Sequence, residues 1–216
     1  MDARSLDLYE ERINAITHGV GVLLALIAAP YLLMKATDYG KLNTILAVSV
    51  FLFGMLMCYL SSTMFHALPD SNRKRLWLIA DHISIFFMIG GTYTPLVHKY
   101  VDDSIAVPFL GILWSLIAAG SILKLFFTGR YEWLSTFFYV FLGWMLLFII
   151  KPVSATMPPH IFWWVIGGGL AYSVGVIFYR IRRPFAHCVW HLFVLTGTSM
   201  HLYAIHESIH VQVQFG

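Results

Sequence analysis

Charge is what this sequence lacks. Asp, Glu, Lys and Arg make up 12% of its 216 residues and hydrophobic residues 59%, against about 25% charged in an ordinary soluble domain. So little charge cannot cover a surface that faces water, which excludes a soluble enzyme, a nucleic-acid-binding domain and a disordered chain. The formal net charge of +3 falls between apolar runs and forms no basic patch, so no nucleic-acid partner is expected. Cysteine is scarce too. Cys58 and Cys188 lie in or at the end of apolar runs, so no disulfide framework is expected. The N-terminal stretch MDARSLDLYEERINAI lacks the short apolar core and small-residue cleavage site of a secretory signal. The first apolar run is therefore expected to remain as a membrane span. There is no loop long enough for a soluble domain and no convincing internal repeat, so residues 1–216 read as a single domain.

What is present is long apolar runs. A membrane helix needs about 20 predominantly apolar residues. Seven segments meet this: 17–35, 43–66, 76–97, 106–127, 133–150, 161–180 and 187–206. Short connections carry turn residues, at Asp38-Tyr39-Gly40, Pro69-Asp70-Ser71-Asn72, Asp102-Asp103-Ser104 and Pro158-Pro159. A continuous run such as 137–150 contradicts the alternation of a transmembrane β-barrel. The expected fold is an all-α bundle of seven transmembrane helices. Ten of the 14 Lys and Arg residues, Arg4 among them, flank one side, and Lys35, Lys41, Lys99 and Lys151 the other. The positive-inside rule then puts the N-terminus in the cytoplasm and the C-terminus outside. Lys124, inside a span, is expected to snorkel. Pro95 is expected to kink or end the third span, and Gly90, Gly91, Gly167, Gly168, Gly169 and Ala171 to permit close helix packing.

Ionisable residues at membrane depth are costly and mark function by default. With this topology, four segments place such residues at the inner end: Glu11, Asn14, Thr17 and His18; Ser62 and His66; Asp81 and His82; His187 and His191. His187 and His191 are four apart, which sets them on one helix face with Cβ atoms about 5–6 Å apart. That spacing suits two imidazoles on one metal. Three histidines without a thiolate suit zinc, with a fourth position left for water. Asp81 would then accept a hydrogen bond from that water or act as general base, and Ser62 would support either. Each residue alone has a plainer reading. A lone intramembrane histidine is ordinarily a packing residue, and Ser62 can bond its own helix carbonyl. Cys188 faces away from the pair. His201 lies about 15 Å further along its helix, too far to join the site, and His206 and His210 fall at the outer end.

In these motifs the chain resembles the hemolysin III family of bacterial membrane proteins, relatives of the progestin and adipoQ receptors within a superfamily that includes alkaline ceramidases. Three motifs carry the resemblance: Glu11, Asn14, Thr17 and His18; Ser62 and His66 followed by Asp81-His82 and Gly91-Thr92-Tyr93-Thr94-Pro95; and His187 with His191. The resemblance implies an intramembrane Zn2+ near the cytoplasmic face, held by His66, His187 and His191. Asp81 would hold the water with Ser62 close by, and Glu11, Asn14, His18 and His82 would surround the ligands. His82 agrees with the bacterial pattern and is expected to bond a neighbouring helix. The function implied is zinc-dependent hydrolysis of a lipid amide or ester in the bacterial cell (inner) membrane, with a membrane lipid as substrate or ligand. Two other readings stay open: a non-enzymatic sensor or regulator stabilised by zinc, and the haemolytic activity that the family name carries. A transporter or a haem protein is weakly supported, because no pair of broken helices is visible and two histidines on one helix face suit zinc better.

Overall fold

Lipid offers no hydrogen bonds to a backbone, so a segment that crosses it must satisfy its own N–H and C=O groups. The chain does so with helices. The computed structural model describes residues 3–39 and 41–213. Met1, Asp2, Gly40 of the first expected turn, and residues 214–216 lie outside the described residues, as does the Arg4 side chain counted in the charge bias. The order is α1 (Ala3–Tyr39), α2 (Leu42–Ala67), α3 (Asn72–Tyr100), α4 (Asp103–Phe127), α5 (Glu132–Gly143), a 3-10 segment (Met145–Ile149), α6 (Ile150–Thr156), α7 (Pro159–Arg180) and α8 (Ala186–His210). Among the described residues there are seven membrane-length apolar spans, the fifth built from α5, the 3-10 segment and α6 together, and no strands. The fold is a seven-span transmembrane bundle.

Three differences from the expected spans shape the bundle. α1 begins at Ala3, well before residue 17, because its polar first turns continue as helix and bring Glu10, Glu11 and Asn14 to the bundle. Pro95 does not end α3, which runs on to Tyr100. The fifth span extends to Thr156 and is interrupted. The cause of the interruption is a side chain from α3. The Tyr93 hydroxyl donates to the Gly143 carbonyl at 2.7 Å and accepts from the Leu146 N–H at 2.8 Å. A phenol placed in the helical ladder replaces the backbone bond, a recognised cause of helix breaks.

The helices pack pairwise. α2 lies on both α1 and α3, α7 pairs with α8, α4 runs along α3, and α1 closes on α8. The α2–α3 contact depends on missing side chains. A Cβ at Gly54 would lie 2.5 Å from the Phe87 carbonyl oxygen, and one at Gly91 3.0 Å from the Phe51 Cα. Gly168 and Gly197 bring α7 and α8 together in the same way, whereas a Cβ at Gly169 would meet only ordinary contact with Trp144 at 3.7 Å. Close backbone approach is how membrane helices gain packing energy without a hydrophobic drive. Ser71 caps α3 by accepting from the Lys74 N–H at 3.2 Å, and Asp102 caps α4 by accepting from the Ser104 N–H at 3.0 Å.

Replacing Tyr93 by Phe strands the Gly143 carbonyl and the Leu146 N–H inside the bundle. The expected cost is about 1–3 kcal/mol. It would be read as earlier thermal unfolding in detergent, and an unchanged midpoint would show that the break needs no phenol.

Candidate metal centre

Three histidines meet at the end of the bundle where α1 begins, α2 ends and α8 begins. His66 is in the last turn of α2, and His187 and His191 occupy the first two turns of α8. Their ring centroids are 5.1 Å (His66–His187), 5.1 Å (His66–His191) and 4.5 Å (His187–His191) apart. One ligand nitrogen from each lies within 4.8 Å of the other two. The ring planes are inclined at 55°, 69° and 65°. A lone pair lies in its ring plane, so inclined planes can converge on one cation. This is the metal-capable group of His, Cys, Asp and Glu found among the described residues.

Hydrogen-bond partners on the far nitrogen mark the ligand atom of two of the three rings. The Nδ1 of His66 faces a Glu11 carboxylate oxygen at 3.3 Å. A carboxylate only accepts, so Nδ1 carries a proton, and the neutral ring then keeps its lone pair on Nε2. That Nε2 is buried and has no hydrogen-bond partner within the described residues. The Nδ1 of His191 lies 3.0 Å from the Thr17 hydroxyl, and that hydroxyl donates its one proton to the Asn14 carbonyl at 2.9 Å. With the hydroxyl proton on that carbonyl, Nδ1 donates, and again Nε2 is left as the ligand atom. Partners on the far nitrogen orient metal-binding histidines and raise their basicity. Lys74 holds Glu11 in turn, through a 2.8 Å contact to the same oxygen. Glu10 accepts from the Phe185 N–H, and Phe185 sits in the left-handed region (φ 61°) just before α8. So α1 also fixes where α8 starts, and with it the height of His187.

The centre opens on a cavity of about 270 Å³, lined by Ser62, Asp81, His82, His187 and His191 among others. Ser62 and Asp81 face this cavity together from α2 and α3. His18 stacks flat on His191, with centroids 3.5 Å apart and planes inclined by 16°. Asn14 is buried, and its side-chain oxygen has no partner within the described residues. His82 turns away from the triad. Its Nδ1 donates to the Leu78 carbonyl at 2.8 Å and its Nε2 lies 3.4 Å from Glu132 on α5. His201, in a buried contact with the Val165 carbonyl at 3.0 Å, lines the same cavity further along. His206, at the far end of α8, bonds the exposed Tyr31 hydroxyl at 3.0 Å and stacks on its ring.

Two roles were not visible in the sequence. Thr17 stands in the first motif with no chemistry assigned to it, yet its hydroxyl is the side-chain partner of the His191 Nδ1. Its signal is its position three residues after Asn14, which lets its hydroxyl reach back to that carbonyl. Lys124, expected to snorkel, is buried with 3% exposure and pairs with Glu132 at 3.4 Å. Its span leaves it inside the bundle, and the acid that neutralises it comes from the next helix. Glu132 thus joins α3, α4 and α5, and Tyr179 on α7 reaches it at 3.4 Å.

Seven apolar spans around a buried histidine centre define a multi-pass membrane protein. Residues 6–202 match the family described as Haemolysin-III related, and the chain belongs to that family. It is 39% identical over 197 residues to the hemolysin-3 homolog of Bacillus subtilis (strain 168), an alignment covering 91% of this chain and 92% of that protein. It is 36% identical over 197 residues to the hemolysin-3 of Bacillus cereus, covering 91% and 90%. The human monocyte to macrophage differentiation factor is 26% identical over 206 residues, covering 91% of this chain and 83% of that protein. It marks the distant relationship to the progestin and adipoQ receptors. No solved structure matches.

If Thr17 sets the His191 tautomer, Thr17→Val, which removes the hydroxyl at nearly constant shape, weakens divalent metal binding about tenfold. Thr17→Ser retains it. Competition against a chromogenic chelator measures both, and equal affinity in Thr17→Val would remove the role.

Proposed function

We propose that this chain is a zinc-dependent hydrolase that cleaves an amide or ester bond of a membrane lipid. It would work in a bacterial cell membrane with its N-terminus in the cytoplasm, and so serve membrane lipid homeostasis. One observation carries the reading: three imidazoles, each with a ligand nitrogen within 4.8 Å of the other two, stand beside a largely apolar cavity whose lining includes the Asp81 carboxyl and the Ser62 hydroxyl. The donor set is nitrogen only, which suits zinc among the available metals. Zinc held by His66, His187 and His191 supplies Lewis acidity and a water that is acidic near neutral pH.

The remaining work falls to side chains. Asp81 acts as general base, taking a proton at its carboxylate and passing it to the leaving nitrogen or oxygen. Ser62 holds the Asp81 carboxyl in the orientation for that transfer. Glu11 and Thr17 keep the Nδ1 protons of two ligands in place. The apolar walls of the cavity receive an acyl chain and keep bulk water from the cleaved bond. The orientation rests on the excess of Lys and Arg on the triad side, where Arg73, Lys74, Arg75, Arg180, Arg182 and Arg183 gather.

A second reading, a zinc-stabilised sensor without turnover, draws on one observation. The histidines join the end of α2 to the start of α8, two helices that otherwise touch little. A metal there could serve as a fastener alone. Asp81→Asn separates the two. As a hydrolase, the protein carries about one zinc per chain. Each of His66→Ala, His187→Ala and His191→Ala loses it, and Asp81→Asn keeps zinc and thermal stability while losing lipid turnover at least a hundredfold, the scale of general-base catalysis. Elemental analysis beside release of fatty acid from a panel of acyl amides and esters gives both readouts. Zinc retained in all three histidine variants refutes the ligand set. Zinc present with no turnover above Asp81→Asn refutes the hydrolase.

A further inference from the structure

His18 is a costly residue in its position. It is 3% exposed, and neither ring nitrogen has a hydrogen-bond partner among the described residues. Burying a polar group unsatisfied costs about 1–3 kcal/mol. Packing alone does not call for an imidazole here. The ring lies flat on His191 and meets Tyr59 edge-on at 5.2 Å, contacts that a phenyl ring makes equally well.

Nor can His18 serve as a fourth ligand beside His191. Zinc bonds imidazole nitrogen at about 2.0–2.1 Å, along a lone pair that lies in the ring plane. The His18 and His191 planes are inclined by only 16° with centroids 3.5 Å apart. Two nearly parallel planes at that spacing share no point within bonding reach of both rings. The three ligand rings, inclined at 55° or more, differ in this respect. His18 is likewise outside the metal-capable group. Yet it lines the same cavity as Ser62, Asp81, His187 and His191. A neutral imidazole there offers one donor and one acceptor.

We propose that His18 binds substrate: it hydrogen-bonds a hydroxyl or amide group that the lipid carries beside its scissile acyl bond. A hydroxyl satisfies either nitrogen, because it both donates and accepts. The inference rests on the hydrolase reading above and sharpens it, since a site built to pair a polar group discriminates against a lipid that lacks one. The substrate class is then an acyl lipid with a free polar substituent next to the carbonyl, as opposed to a plain alkyl ester.

The test uses the full-length protein with zinc, in lipid nanodiscs, with the Asp81→Asn change to stop turnover. The probes are a short N-acyl amino alcohol and its deoxy analogue, and equilibrium binding is followed by intrinsic fluorescence. The expected result is at least about tenfold preference for the hydroxylated probe. Adding His18→Phe is expected to abolish the preference while zinc content and thermal midpoint hold. His18→Gln, which keeps a donor and an acceptor, is expected to restore part of it. On protein with His18 intact, the imidazole nitrogen resonances of His18 are expected to shift with the hydroxylated probe and not with the deoxy one. The proposal is overturned if the preference survives in His18→Phe, or if those resonances ignore both probes. Loss of zinc in His18→Phe would make the residue part of the metal centre and overturn it as well. If neither probe binds the protein with His18 intact, the lipid reading itself falls with it; if both bind alike, only the role of His18 does.

Discussion

Everything at this site depends on two hydrogen bonds from α1. Glu11 accepts a hydrogen bond from the Nδ1–H of His66, and the Thr17 hydroxyl pairs with the Nδ1 of His191. A histidine buried among helices without such a partner can present either nitrogen and rotate freely about its side-chain bonds. With the far nitrogen committed, the near one is left as a fixed lone pair. The same helix holds Glu11 through Lys74, stacks His18 on His191, and positions the start of α8 through Glu10. The polar first turns of α1 therefore belong to the site. This is why α1 begins well before its apolar run.

The fold was legible because the bilayer allows few solutions. A run of about 20 apolar residues crosses as a helix whatever its side chains do, and seven runs gave seven spans. The site was legible in part for a similar reason. The four-residue spacing of His187 and His191 fixes a shared face, and topology brings His66, Ser62 and Asp81 to the same end. What stayed hidden depended on partners distant in sequence. Nothing in the all-apolar stretch of the fifth span announces its break, because the cause is the Tyr93 hydroxyl, 50 residues earlier. Lys124 looked like a snorkelling residue until Glu132 was found beside it. Thr17 looked like a spacer between Asn14 and His18.

The two polar clusters divide the work of the triad end of the bundle. The histidine cluster joins α1, α2 and α8. The Glu132 cluster joins α3, α4, α5 and α7 through His82, Lys124 and Tyr179. Asp81 and His82 are adjacent on α3, and both line the cavity between the clusters. α3 is thus the helix that couples a candidate metal centre on one side to an ion-pair network on the other. A buried pair of this kind contributes less to net stability than to fixing one arrangement, since removing either partner leaves an uncompensated charge. Its position points to holding α3, and Asp81 with it, in register.

X-ray absorption at the zinc edge, on purified protein with one metal bound, tests the centre most directly. Ligation by His66, His187 and His191 predicts a first shell of nitrogen and oxygen at about 2.0–2.1 Å, with outer scattering from three imidazoles. A sulfur shell at about 2.3 Å, which could come only from Cys58, Cys188 or a methionine, would contradict it. So would a spectrum with fewer than two imidazoles.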